Sequence, residues 1–245
     1  MTSDTTHTEP VTAKTEKLRE LITGAQFVLL DFDGPICRLF AGHSAKLVAR
    51  ELVEWLERQG LLCQLTEEER RHPDPLAVLL AVEQRHPGSD LVAELEEMLT
   101  QRELRAVPSA QPTAYADPLI RTWTALGARL AVTTNNSARP AAEYLAGRGL
   151  VDCFAPHVYG RTQALHQQKP DPYRLLRALR AMGAVGERAV MIGDVPSDLQ
   201  AAEHAGVPFL GYAPSAHKQK VLREAGAEMI VSSLEPVLRV LRGQV

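Results

Sequence analysis

An α/β fold built on a parallel sheet, with an all-helical segment inserted into it, is predicted by three observations. Short apolar runs alternate with helical stretches from about residue 26 onward, the pattern of strands covered by helices. The interval from about Ala41 to Ala110 breaks that alternation and holds helical segments with no convincing strand. Two of the apolar runs end in acid: Phe27 to Leu30 runs into Asp31-Phe32-Asp33-Gly34, and Val190-Met191-Ile192-Gly193 into Asp194, with Asp198 close behind.

Taken in order, strands are expected at 26–31, 128–134, 154–159, 188–193, 207–212 and 227–231, each a short apolar run. Helices are expected at 138–148, 171–182, 197–205, 215–225 and 233–242, with Gly149, Gly183, Gly206 and Gly226 placed to stop the first four. Within the insert, Ser44–Gln59 puts Leu47, Val48, Leu52, Trp55 and Leu56 on one helical face. Helices over 75–86 and 90–107 follow, separated by the turn signal His86-Pro87-Gly88-Ser89. The expected organisation is a disordered tail over 1–16, an α/β core from 17–40 and 111–245, and a helical cap over 41–110.

Composition narrows the partners. Twenty-seven basic against 30 acidic side chains give a net charge of −3 without blocks of like charge, so neither nucleic acid nor an anionic membrane is the expected partner. A small molecule is. Cys37, Cys63 and Cys153 are odd in number and lack CxxC spacing, which argues against a disulfide framework or zinc ribbon and for a reducing compartment. Residues 1–16 lack the basic start and apolar stretch of a secretion signal, and no apolar run approaches the roughly 20 residues of a membrane helix. A cytoplasmic protein is expected, and the sequon at Asn135-Asn136-Ser137 is read as chance.

In open parallel sheets, ligands bind beyond the carboxyl ends of strands, and four such places carry suitable groups: Asp31/Asp33, Thr134/Asn135, Lys169 and Asp194/Asp198. Carboxylates gathered at one sheet edge need a cation, and an all-oxygen donor set points to magnesium. Asp31 is the candidate nucleophile toward phosphorus, and Asp33 the general acid and then base. Asp194 joins Asp31 in holding the metal. Thr134, Asn135 and nearby amides are candidates for the phosphoryl oxygens, with Lys169 as a compact positive charge and Asp198 orienting it or a metal-bound water.

These residues resemble the haloacid dehalogenase-like hydrolase superfamily. Its four motifs are matched in order by Asp31-Phe32-Asp33-Gly34, Val132-Thr133-Thr134-Asn135, Lys169-Pro170-Asp171-Pro172 and Gly193-Asp194-Val195-Pro196-Ser197-Asp198, and the resemblance covers about residues 24 to 242. It implies a Rossmann-like core, an aspartyl-phosphate intermediate, Mg²⁺ dependence and a metal ligand from the backbone carbonyl of Asp33. The helical insert resembles the C1 caps of phosphoglycolate phosphatase-like members.

The implied activity is hydrolysis of the phosphate monoester of a small metabolite. A phosphomutase resembling β-phosphoglucomutase and a non-catalytic binding protein of the same fold are the competing readings. Pro35 keeps the last of these open, because it stands where most phosphatases of the family have Thr, removes an N–H and fixes φ in the loop toward the cap. Arg38 and His43 follow the first motif toward the cap and are read equally as substrate contacts or exposed hinge residues, Arg102 and Arg105 as a solvated cap face, and Cys37 as a small buried side chain.

Overall fold

The computed structural model describes residues 11–184 and 188–244. The chain opens with α1 (Val11–Thr23) and β1 (Phe27–Leu30), then a short β2 (Cys37–Arg38). Four helices follow: α2 (Ala45–Arg58), α3 (Glu67–Arg71), α4 (Pro75–Arg85) and α5 (Asp90–Ala106). The chain returns through β3 (Gln111–Pro112), which pairs antiparallel with β2, so this two-stranded ribbon brackets the helical insert.

Beyond it come α6 (Ala116–Ala125), β4 (Arg129–Ser137), α7 (Ala138–Gly147), α8 (Val151–Phe154) and β5 (Val158–Arg161). Next are α9 (Tyr173–Met182), β6 (Ala189–Gly193), α10 (Pro196–Ala205) and β7 (Phe209–Tyr212). The chain ends in α11 (Ala216–Glu224), β8 (Ile230–Val231) and α12 (Glu235–Leu241).

The main sheet has six strands in the order β5-β4-β1-β6-β7-β8, all parallel. Successive side chains of a strand face opposite sides, and both sides are covered here. Val28 and Leu30 of β1 enter one core with Trp123 of α6, Leu145 of α7 and Val237 of α12. Leu29 enters the other, with Leu175 and Leu179 of α9 and Ala202 of α10. The insert has its own apolar cluster, in which Val48, Leu52 and Leu56 of α2 meet Val78 and Val82 of α4 and Leu95 and Leu99 of α5.

The expected parallel sheet with surrounding helices is the observed fold. Several boundaries differ. The strand expected at 154–159 starts at Val158, because Val151–Phe154 is helical and Pro156 has no N–H to give a ladder. Besides that short α8, three helices lie outside the expected set. α1 takes in residues 11–16 of the expected tail, whose residues 1–10 lie outside the described ones, and it buries Leu18 and Ile22. α6 buries Leu119, Ile120 and Trp123. In the insert, α3 is added by a capping box between Thr66 and Glu69. No helix of the described residues is long and apolar enough to cross a membrane.

Candidate active site at the carboxyl ends of three strands

The neighbouring strands β4, β1 and β6 deliver the predicted Thr134/Asn135, Asp31/Asp33 and Asp194/Asp198 to one edge of the sheet, and the segment between β5 and α9 brings Lys169. Asp31 follows β1 directly, and its N–H donates to the Ile192 carbonyl of β6 at 2.9 Å. Two residues on, Asp33 sits in a tight loop closed by bonds from Gly34 N–H to the Cys37 carbonyl (2.6 Å) and from Cys37 N–H to the Phe32 carbonyl (3.1 Å). The Thr113 hydroxyl, just past the return strand β3, donates to the Gly34 carbonyl. Pro35 therefore lies in a loop whose bonds come from its neighbours' amides. Gly34 has φ +125°, and a Cβ there would stand 2.4 Å from the Asp194 carboxyl carbon. Glycine is what lets the first and fourth motifs touch.

Lys169 joins the parts. Its ammonium lies 2.9 Å from Asp31 Oδ1 and 2.5 Å from Asp198 Oδ1, and donates to the Thr133 carbonyl at 2.9 Å. Burial works against the charge, but the two aspartates outweigh it and raise the Lys169 pKa, so the ammonium is retained. Asp198 Oδ2 accepts from the backbone N–H groups of Asp194 (2.9 Å) and Val195 (3.3 Å), fixing the turn that starts α10. Asp198 is itself raised, by burial first, against the attraction of Lys169.

Two more carboxyls are lifted to about 6, in each case mainly by burial: Asp33, whose Oδ1 accepts from Leu39 N–H at 2.9 Å, and Asp194. Repulsion from Asp31 adds to both. Carboxylate oxygens of Asp31, Asp194 and Asp198, all buried, lie within 4.8 Å of one another. An all-oxygen, crowded and desolvated set of this kind suits a hard divalent cation, which would relieve the repulsion. The sequence reading grouped Asp33 with Asp31 and Asp194. The geometric cluster has Asp198 in that place, although both Asp198 oxygens are already engaged by Lys169 and backbone amides.

The second-motif residues are turned in a way the sequence did not suggest. Asn135 clamps the Lys169 peptide from both sides, its Nδ2 donating to the Lys169 carbonyl (3.1 Å) and its Oδ1 accepting from Lys169 N–H (2.8 Å). The expected phosphate-facing carboxamide is thus spent on holding the lysine. The Thr134 hydroxyl is buried and paired with Asn136, accepting from its N–H at 3.1 Å.

Sequence reasoning missed three participants. Lys218 of α11 forms an ion pair with Asp194 Oδ2. Glu103 of α5 accepts from Asn136 Nδ2 (2.9 Å) and Ser137 N–H (3.0 Å), tying the insert to the second-motif loop. Arg161 at the end of β5 grips Glu103 through both carboxylate oxygens, at 2.8 and 3.0 Å. The only available signal was a charged residue inside an otherwise apolar helical pattern, as with Glu103 between Leu99 and Ala106. A cavity of about 450 Å³ lies above this site. Asp31, Asp33 and Asp194 line one side, and Phe40, Leu76 and Leu99 the other.

The family model described as haloacid dehalogenase-like hydrolase matches residues 25–206, which include all four motifs. The chain belongs to this family. A phosphoglycolate phosphatase of Rhodospirillum rubrum is 42% identical over 102 residues, covering 42% of this chain and 41% of that protein. A phosphorylated carbohydrates phosphatase of Thermotoga maritima is 34% identical over 115 residues, covering 46% and 52%. The chain thus spans about two-fifths to half the length of these curated relatives. Among solved structures, a candidate β-phosphoglucomutase from Thermotoga maritima superposes with a TM-score of 0.60 at 21% identity, covering 90% of this chain and all of that one. This last likeness shows that the haloacid dehalogenase-like fold is shared, and nothing more.

Proposed function

We propose that this chain is a magnesium-dependent phosphatase acting on the phosphate monoester of a small metabolite. The observation that carries the reading is the position of Lys169, held between Asp31 and Asp198 at a sheet edge where Asp33 and Asp194 also converge. Asp31 Oδ1 is fixed by the ammonium, which leaves Oδ2 to attack phosphorus. The P–O bond to the leaving group breaks as the Asp31–phosphorus bond forms, and protonated Asp33 gives its proton to the departing alkoxide. In the second half Asp33 takes a proton from water, whose oxygen attacks the aspartyl phosphate and releases inorganic phosphate and free Asp31.

Burial favours the neutral form of Asp33, which suits it to begin as the acid. Asp31, Asp194 and the backbone carbonyl of Asp33 would hold the metal. Magnesium, when bound, neutralises charge on the transferring phosphoryl group. Lys169 stays protonated throughout and steadies the nucleophile, with Asn135 and Asp198 fixing its two ends. The insert closes the cavity over the leaving group, whose size is limited to a small metabolite by the 450 Å³ available. The names of the partial-length relatives support phosphoglycolate and phosphorylated carbohydrates as first substrates to try.

Phosphate release from a panel of phosphorylated metabolites, with Mg²⁺ and with EDTA, tests the reading. Release is expected to require the metal and to vanish in Asp31→Asn while the fold is kept. Full activity of Asp31→Asn would overturn the assignment, and conversion of a sugar phosphate to its isomer without free phosphate would replace it with a mutase.

A further inference from the structure

Arg161 lines a second cavity besides the one over the site. This smaller space, about 290 Å³, opens at the edge strand β5 and is walled by Ala138, Tyr159, Gly160, Tyr173, Arg174 and Arg177 among others. No acidic side chain lines it.

Arg174 is the group without an explanation. It is only 2% exposed, yet it has no carboxylate partner among the described residues, and neither has Arg177. Its Nε donates to the Gly160 carbonyl at 2.8 Å and its Nη1 to the Gln167 carbonyl. Its Nη2 is buried with no hydrogen-bond partner. A buried charged donor left unpaired is costly unless an anion meets it. Burial, and then repulsion from Arg161, lower the Arg174 pKa to about 10, which leaves the guanidinium charged at neutral pH. Asp171 attracts it from a distance, with its carboxylate accepting Tyr173 N–H at 2.8 Å.

The surroundings have the same sign. Arg177 is exposed one turn further along α9, its guanidinium 5.4 Å from the centre of the Tyr159 ring. Ala138 is the first residue of α7 and Tyr173 the first of α9, so the positive ends of two ten-residue helices border the cavity.

We propose that this cavity is an anion site that takes a phosphate group, as inorganic phosphate or as a small phosphomonoester, on Arg174 Nη2 and Arg177. The site is separate from the catalytic aspartates and does not depend on the hydrolysis proposed above. Titration calorimetry of the full chain in EDTA tests it, with inorganic phosphate in one arm and glycerol 3-phosphate in the other. The catalytic cavity is lined by Arg38 and Lys218 as well as by its carboxylates, and an Asp31→Asn arm reports any anion that binds there.

One saturable site is expected, and the arm that saturates identifies the free ion or the ester as its occupant. Arg177→Gln, at an exposed position, should weaken binding by at least about ten-fold with an unchanged melting temperature. Arg174→Gln should abolish binding. Absence of saturation in both arms, or an affinity unchanged by Arg177→Gln, would overturn the proposal. So would an affinity that changes only in Asp31→Asn, since that would place the anion in the catalytic cavity.

Discussion

Asp198 Oδ1 stands 2.5 Å from Lys169 Nζ, with both side chains sealed from solvent. The pair joins the third motif to the fourth and leaves the ammonium free to reach Asp31. Lys169→Met keeps the length of the side chain and removes its charge, so Asp198 loses the cation that offsets its burial. Removing one partner of a buried pair costs about 3–5 kcal/mol. Urea unfolding should show a midpoint lowered to match, together with loss of phosphate release. An unchanged midpoint would mean that the pair contributes nothing net to the fold.

The second buried pair, Arg161 with Glu103, has a different task. All five guanidinium N–H groups are taken: Nε by Glu96 (3.0 Å), Nη1 by Glu103 and the Asn135 carbonyl (3.1 Å), and Nη2 by Glu103 and Thr100 (3.1 Å). No donor is left for a substrate, so Arg161 is a positioning residue that holds α5 against the loop carrying Asn135. Arg161→Lys keeps the charge but loses the fork. It should destabilise the protein by roughly 2–3 kcal/mol, the cost of buried donors and acceptors left unpaired. A double-mutant cycle with Glu103→Gln should show coupling above about 1 kcal/mol, and additive effects would contradict a direct bond.

The extent to which the sequence disclosed these parts follows from their separation along the chain. Asp31 and Asp194 were legible because each ends a continuous apolar run, and a parallel sheet brings such ends to one edge. The cap helices were legible from periodicity, as with Val48, Leu52 and Leu56. Helix α6 carried a readable signal, Leu119, Ile120 and Trp123, but in a stretch between the insert and β4 where no strand alternation framed it. The Arg161–Glu103 bond joins residues 58 apart, and no local pattern announces which charged side chain of a helix turns inward. The bonds from the Asn135 side chain to the Lys169 backbone span 34 residues, and a carboxamide at a strand end carries no local sign of which distant backbone it will fix.

At the far edge of the core, His157 offers a pH test that does not involve the carboxyls of the candidate site. Its Nδ1 lies 3.2 Å from the Tyr159 hydroxyl, and its pKa is lowered by burial first and by Arg129 second. A histidine whose folded pKa is depressed binds its proton more readily in the unfolded chain. Its neutral form therefore adds stability that is present above the unfolded value of about 6.5 and lost as pH falls through the folded one. Melting temperature measured from pH 7.5 down to 5 should fall less steeply in His157→Gln than in the native protein. Parallel curves would show that His157 titrates alike in both states.

Gly193 links sheet geometry to the charge network most directly. A Cβ at this last residue of β6 would come 2.4 Å from Asp198 Cβ and 2.4 Å from its Oδ2, inside any real contact distance. Gly193→Ala must therefore push the first turn of α10 away from β6. That displacement would break the bonds from Asp194 and Val195 N–H to Asp198 Oδ2 and pull Asp198 away from Lys169. Overpacking of this sort costs about 1–3 kcal/mol. Denaturant unfolding should register that loss, and phosphate release should fall by more than the lost stability explains, because Lys169 no longer has its second anchor. If Gly193→Ala instead unfolds at the native midpoint and keeps full turnover, the close approach of β6 to α10 is not what fixes Asp198.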